Sequence, residues 1–364
     1  MDTVASGAGS REPGSGRTLD HVQLARDLID IESTTGNEGD VGAWLAGFLR
    51  DRGYSVLEQP LEPLPPVPGS RLPAPVTPRV NVIAAVGEPD VVFSTHFDCV
   101  PPFFPSRVEG GVLYGRGACD AKGILAAQVA AAERLRAKGE TRVGLVFVGG
   151  EERGSDGAKA ANRIGSKSKF LINGEPTDLR LGAATRGAFR VRLTAAGKAA
   201  HSGYPELGES AIDKLIDCLV ALRTAEWPSD PLLGTTHFSV GLISGGVAPN
   251  VISPHADAEV FFRTVGQHEP LRQVLHRTLA GRVTVEEILE LPAMRMHTVP
   301  GFETAVFSYF SDIPFLSNWG TPLLLGPGSI HVAHTDGEHI AISELTRAVE
   351  VYEKLAAALL GNNE

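Results

Sequence analysis

Three groups of acidic or imidazole side chains follow short apolar runs: His96-Phe97-Asp98, Glu151-Glu152 and Glu175-Pro176. The preceding runs, Val91 to Thr95, Val143 to Val148 and Phe170 to Asn173, are rich in strand-forming residues. Between the first two groups, a Gly-rich turn holding Asp120 leads into an Ala-rich stretch of helical type. Open α/β sheets bind ligands at the carboxyl ends of their strands, so these distant side chains are expected to converge. Carboxylates packed beside a neutral imidazole repel or stay protonated unless a cation holds them. The spacing therefore points to a metal centre.

The elements that must position such a centre alternate along the chain. Strands are expected at 80–86, 91–95, 142–149 and 169–174, with helices at 121–138 and 156–164; two amphipathic helices, 21–30 and 41–52, precede them. This pattern describes a mostly parallel sheet covered by helices, the α/β class. Residues 60–78 carry eight prolines and read as a loop, either a surface insertion or a flap near the site. After Glu175 the texture changes to alternating strands at 189–194, 237–243 and 256–263 and helices at 210–224 and 270–280. From Phe302 the first texture returns, with a strand at 321–325 and a helix at 343–360. The expected organisation is a tail at 1–18, a catalytic domain at 19–183 and 294–364, and an inserted α+β domain at 184–293.

Composition narrows the class. A chain of 364 residues with 43% apolar and 21% charged residues is an ordinary globular protein, long enough for two domains. A net charge of −10 and the lack of a Lys/Arg-rich stretch argue against a nucleic-acid partner. No apolar run approaches the length of a membrane span. The first 18 residues lack the apolar core of a signal peptide, so a cytoplasmic location is expected. Cys99, Cys119 and Cys218 are too few for a disulfide framework. Cys99 and Cys119 adjoin candidate site residues and read either as ligands or, more simply, as small residues packed in a tight site.

Each group has a bland alternative. Adjacent acids such as Glu151 and Glu152 are usually solvated charge, and a lone Asp120 before a helix is usually a cap. Their position at the ends of apolar strands reverses the balance. A dinucleotide turn at Gly115 to Asp120 is excluded, because Asp120 stands where a third glycine belongs and would repel a pyrophosphate.

The ordered motifs carry a resemblance. They are Thr95-His96-Phe97-Asp98-Cys99-Val100-Pro101, Tyr114 to Gly123, Gly150 to Ala158, Gly174-Glu175-Pro176-Thr177, Ala200-His201-Ser202-Gly203-Tyr204-Pro205, and Gly326-Pro327-Gly328-Ser329 followed by Ala333-His334. Over about residues 20 to 360 the chain resembles the metallopeptidases and deacylases of the M20 family, which includes acetylornithine deacetylase, succinyl-diaminopimelate desuccinylase and glutamate carboxypeptidase. The resemblance implies two Zn²⁺ ions, with Co²⁺ or Mn²⁺ also suited to the ligands. His96 and Glu175 would hold one, Glu152 and His334 the other, and Asp120 would bridge them. Asp98 would orient His96, and Glu151 would serve as general base to an activated water. His201 would stabilise the oxyanion in a partner subunit's site, which implies a homodimer paired through 184–293. Asn250 and Arg263, with backbone donors from Gly328 and Ser329, would grip a substrate carboxylate.

Two departures stand out. The family's usual Asp-x-Arg run is Phe262-Arg263-Thr264 here, and Gly337 takes the place of an Asp before Glu338, with Asp336 as its candidate substitute. The segment Leu323 to His334 looks most like the acetylornithine-deacetylase branch. The expected activity is hydrolysis of an N-acyl amino acid, in arginine or lysine biosynthesis, with a dipeptidase or glutamate-carboxypeptidase-like activity as the alternative. A catalytically silent binding protein is disfavoured, since neither Glu151 nor any ligand is missing.

Overall fold

The strand Val91–His96 is buried along its whole length, which requires cover on both faces and partners on both edges. It has both. The central sheet runs in the order Ser55–Pro60, Val80–Ala85, Val143–Val148, Val91–His96, Phe170–Asn173, Thr321–Leu324. The last four strands are mutually parallel, and the first two are antiparallel additions at one edge. The protein is thus α/β, as the alternation predicts. This computed structural model describes residues 19–64 and 77–361; the expected tail and most of the Pro-rich loop lie outside them.

The edge strand Ser55–Pro60 was not anticipated. Its side chains are mostly charged, polar or exposed, and it ends on a proline, which only an edge strand tolerates. On one face the Ala-rich helix Lys122–Ala137 packs against helix Ile342–Leu359 and against the sheet; its small side chains let the elements approach closely. The main core lies here, around Phe93, Phe147, Ile124 and Tyr352.

The stretch after Glu175 builds a second sheet, ordered His237–Gly245, His255–Thr264, Gly187–Ala196, Thr284–Leu291, all antiparallel. Helices Ala211–Thr224 and His268–Leu279 cover one face and enclose a separate core of Phe189, Val191, Val260, Phe262, Leu215 and Leu275. The strand Thr284–Leu291 escaped the sequence reading because a bulge between Glu287 and Leu289 breaks its alternation. At the junction of the two sheets, Leu181–Thr185 pairs with Thr304–Phe307 and Met294–Arg295.

Candidate metal centre

Register alone brings the candidate residues to one edge. His96 is the last residue of its strand and lies opposite Val148, three residues before Glu151; Ser94 and Leu324 both pair with Asn173, two residues before Glu175. The strand ends are then fixed by main-chain donors. The Asp98 carboxylate accepts the N–H groups of Glu151 (3.1 Å) and Glu152 (3.3 Å) and the Thr35 hydroxyl (2.7 Å). Its carbonyl takes the Nδ1 proton of His96 at 3.0 Å, which turns Nε2 towards Asp120. Glu338, fully buried, cradles the Asp120 turn by accepting from the N–H groups of Gly117, Cys119 and Asp120 at 2.9 to 3.1 Å and from Arg116 at 2.5 Å.

Asp120 divides its two oxygens between two imidazoles. Oδ1 lies 3.0 Å from His96 Nε2, and Oδ2 lies 3.3 Å from His334 Nε2, which also meets Glu152 Oε1 at 2.9 Å. His334 adopts a φ of 62°, a conformation rare for a non-glycine residue and common at functional sites. Two triads of donor atoms result, His96–Asp120–Glu175 and Asp120–Glu152–His334, each with its atoms within 4.8 Å of one another. They share Asp120.

The electrostatics favour a positive charge among these groups. Burial, reinforced by neighbouring acids, pushes the carboxyls of Glu151 and Glu175 well above their ordinary range. Burial also raises Glu152, against the pull of His334. Burial would lower His96, yet Asp120 and Asp98 hold it well above its usual value; Asp120 and Glu152 push His334 up to about 10. Burial would likewise raise Asp120, but His334 and His96 keep it well below the usual carboxylate range. A divalent cation between these groups would invert that logic and let every carboxylate ionise. Glu175 Oε1 is buried without a hydrogen-bond partner, as an oxygen reserved for a cation would be. Two imidazole nitrogens with three carboxylates fit a pair of divalent ions and leave coordination open.

Several contributors were invisible in sequence. Glu38, Arg79 and Asp156 form an ion-paired network, with Arg79 2.6 Å from Glu38 and 2.8 Å from Asp156, pressed against Gly149 and Gly150. A Cβ at Gly149 would stand 2.8 Å from Glu38 Oε1, and Gly150 takes a φ of 79°. Both glycines are therefore needed to seat the Glu151–Glu152 turn. Tyr309 donates to the Pro176 carbonyl at 2.7 Å, and Asp312 is buried with both oxygens unpartnered. Glu38, Arg79, Tyr309 and Asp312 lie outside the motifs of the sequence, and Asp156, inside the Gly150 to Ala158 motif, carries no sign there of its pairing with Arg79.

Other candidates lie elsewhere. The Gly328 N–H donates to Glu344 at 2.8 Å, so it is not available to substrate; Ser329 stays close to the site through its carbonyl, 3.5 Å from Cys119 Sγ. Burial drives the Cys99 thiol up to about 12 and Cys119 well above its usual value. Neither cysteine belongs to a donor cluster among the described residues, which fits the packing reading. Arg263 lies on the inserted sheet with Nη1 buried and unpartnered.

His201 and Asn250 lie at the far end of that sheet. Past Ala196 the pairing continues outwards through Ile252 N–H to Ala200 and Ser202 N–H to Asn250, and His201 is exposed. The opposite end is tied to the metal side, because Arg186 N–H donates to Phe307, whose ring lies 5.4 Å from that of Tyr309. A ten-residue strand, Gly187–Ala196, separates the two ends, a span of about 30 Å.

The family described as peptidase family M20/M25/M40 matches residues 92–358, most of the chain. The chain belongs to that family. An M20 domain-containing protein of Schizosaccharomyces pombe is 36% identical over 344 residues, covering 92% of this chain and 83% of the relative. A probable carboxypeptidase of Aspergillus fumigatus is 35% identical, covering 93% and 86%. Among solved structures, a dinuclear metal-binding M20 peptidase from Bacillus subtilis shares the fold with a TM-score of 0.67 at 16% identity, covering 94% of this chain and 98% of that one. The protein is therefore an M20-family hydrolase of the peptidase and carboxypeptidase type. Among the described residues no helix is long and apolar enough to cross a membrane.

Proposed function

We propose that this M20 hydrolase holds two divalent ions, Zn²⁺ or else Co²⁺ or Mn²⁺, and cleaves an amide bond beside a free carboxylate. The observation that carries the proposal is the pair of ligand triads joined through the two oxygens of Asp120, with Glu151 beside them. His96 and Glu175 would hold one ion and Glu152 and His334 the other, with Asp120 common to both groups. Bound there, the ions would supply Lewis-acid chemistry, polarising an amide carbonyl and acidifying a water. Glu151 takes the proton of the attacking water and returns it to the leaving amine. Asp98 holds His96 in its tautomer through its main-chain carbonyl and fixes the Glu151–Glu152 turn through its carboxylate, so one residue aligns both ligand and base. Ser329 and Arg263 orient the substrate carboxylate.

The oxyanion donor comes from a second subunit. The His201 Nδ1 accepts the Gly203 N–H at 3.0 Å, which leaves the proton on Nε2 of this exposed ring. It stands at the far end of the inserted sheet, as does Asn250, so both serve a partner's centre. Among the described residues the edge strand His237–Gly245 has no partner on one side and exposes Leu242 and Ile243, with Ile216 and Val220 of helix Ala211–Thr224 also exposed; these support a homodimer built through the 184–293 unit.

The names of the relatives favour a carboxypeptidase, acting on the C-terminal bond of a small peptide. The resemblance of Leu323 to His334 favours the second reading, an N-acyl amino acid deacylase of the acetylornithine type, in arginine or lysine biosynthesis and in the cytoplasm. One panel separates them: dipeptides, N-acetylornithine, other N-acetyl amino acids and N-succinyl-diaminopimelate, each with added Zn²⁺ or Co²⁺. Faster turnover of peptides supports the first reading and faster turnover of an acetylated amino acid the second. If no compound in the panel were hydrolysed, both would fall.

A further inference from the structure

The inserted sheet presents an uncompensated set of cations on the face its helices leave open. Phe189, Val191, Val260 and Phe262 point into the helix-covered core. Alternation therefore puts Arg190, Arg192, Phe261 and Arg263 on the other face; His237, directly opposite Arg263, joins them, and Arg186, just before the strand, reaches His237 at 3.2 Å. Two of the arginines are neutralised. Arg192 pairs with Glu259 at 2.8 Å and Glu286 at 3.2 Å, and Arg190 reaches Glu259 at 3.9 Å. No ion pair among the described residues reaches Arg186, His237 or Arg263.

In a chain of net charge −10, several other arginines with inward or packed guanidiniums have acids of their own: Arg79 with Glu38 and Asp156, Arg116 with Glu338, Arg272 with Glu287 and Glu290. Arg263 instead stacks on Phe261, 4.8 Å from the ring centre, with its buried Nη1 unpartnered. Arg186 is braced in place: Nη1 donates to the Thr235 carbonyl at 2.8 Å and to His237 Nδ1 at 3.2 Å. That second bond leaves the His237 proton on Nε2, a further donor. The cluster sits at the end of the sheet tied through Phe307 and Tyr309 to Pro176, next to the ligand Glu175.

One guanidinium suffices for the single carboxylate that the proposed reaction requires, and this end of the sheet holds two together with an imidazole. We propose that Arg186, His237 and Arg263 form a subsite for two carboxylates, so that the preferred substrate releases an acidic amino acid, glutamate or aspartate. The inference rests on the amidohydrolase reading above and adds to it the charge of the leaving residue. Arg263 takes the main-chain carboxylate, and Arg186 with His237 takes the one on the side chain.

The test uses substrate pairs of nearly equal shape and different charge, Ala-Glu against Ala-Gln and N-acetylglutamate against N-acetylglutamine. Wild-type protein is expected to favour the acidic member by about 10- to 100-fold in kcat/KM, the share of a charge-assisted hydrogen bond. In Arg186→Gln that ratio should fall towards one, and in His237→Asn, an exposed position, it should fall part of the way. Calorimetric titration of Glu151→Gln protein with N-acetylglutamate and N-acetylglutamine reads the same preference without turnover. Equal rates for the acidic and neutral members, in a protein that hydrolyses both, would overturn the subsite and leave the hydrolase reading standing. Absence of all turnover would remove the hydrolase reading, and the titration would still decide the subsite.

Discussion

At the carboxyl edge of the central sheet, Asp98, Asp120, Glu151, Glu152, Glu175 and Asp312 crowd around His96 and His334. At the far end of the inserted sheet, His201 and Asn250 stand in solvent on a ladder that runs away from that crowd. The first region is over-determined. Asp98, Glu338 and the Glu38–Arg79–Asp156 network fix its main chain independently, and its charges call for cations. The second is underdetermined, with an exposed imidazole donor, an edge strand unpartnered on one side among the described residues, and exposed Leu242, Ile243 and Val247. One chain thus carries the candidate hydrolytic centre and a separate surface that, as proposed, serves another copy. Each region can be broken without the other.

The largest effect is expected at the centre. Glu151→Gln removes the proposed base and leaves all five proposed ligands. Turnover should fall by about 10²–10⁴-fold, while elemental analysis still finds two metals per chain. Loss of metal along with activity would make Glu151 a ligand, and full activity would end its role as base.

At the far end, His201→Ala should slow turnover by about 10²–10³-fold, as losing one oxyanion donor does, with metal content and oligomeric state unchanged. The comparison sharpens when this variant is mixed with Glu151→Gln and the subunits are exchanged. A dimer of the two holds one site with both an intact base and a partner's His201, so activity should return although each parent is nearly inactive. No recovery, in a mixture shown to contain hybrids, would place His201 outside the reaction.

The two regions also differed in how far sequence could reveal them. Three of the proposed ligands, His96, Glu152 and Glu175, were legible as candidates because each lies at or just past the end of an apolar run, and Val91–His96, Val143–Val148 and Phe170–Asn173 form adjacent strands. What locks those ligands was not legible. Arg79, Glu38 and Tyr309 act through tertiary contacts between segments with no pattern of their own. Gly328 illustrates the reverse failure: its backbone donor looked free in sequence, and Glu344, sixteen positions on, occupies it. Strands Ser55–Pro60 and Thr284–Leu291 were missed because an exposed edge or a bulge erases alternation.

A smaller effect probes the crowding itself. Asp312 is held up to about 7 by burial, with Asp98 and Asp156 adding to the rise and His96 opposing it. An unfolded aspartate ionises near 4. In metal-free protein, between about pH 4 and 7, the folded chain keeps a proton that the unfolded chain has released, so stability falls as pH rises. Asp312→Asn removes that step. In denaturant titrations of metal-free protein the variant should gain a few kcal/mol on wild type between pH 5 and pH 8. A constant difference at both values would show Asp312 ionising normally.

The smallest effect is expected where the chain departs from its family. Gly337 replaces an acid, yet a Cβ there would meet nothing within 4 Å and its φ lies outside the left-handed region. Asp336, the candidate substitute, is exposed, and the neighbouring Glu338 already fills the cradle under Asp120 with four bonds. The support for Asp120, the proposed shared ligand, therefore comes from Glu338 alone among these three positions. Gly337→Asp should change stability by no more than about 0.5 kcal/mol, as surface substitutions do, and leave kcat/KM within twofold of wild type by the same reasoning. Glu338→Gln keeps the shape but weakens the charge-assisted bonds to Arg116 and to three N–H groups, and it should cost metal affinity about 10- to 100-fold, as losing a ligand's support does. A gain in activity from Gly337→Asp would mean that the centre is less complete than its geometry indicates.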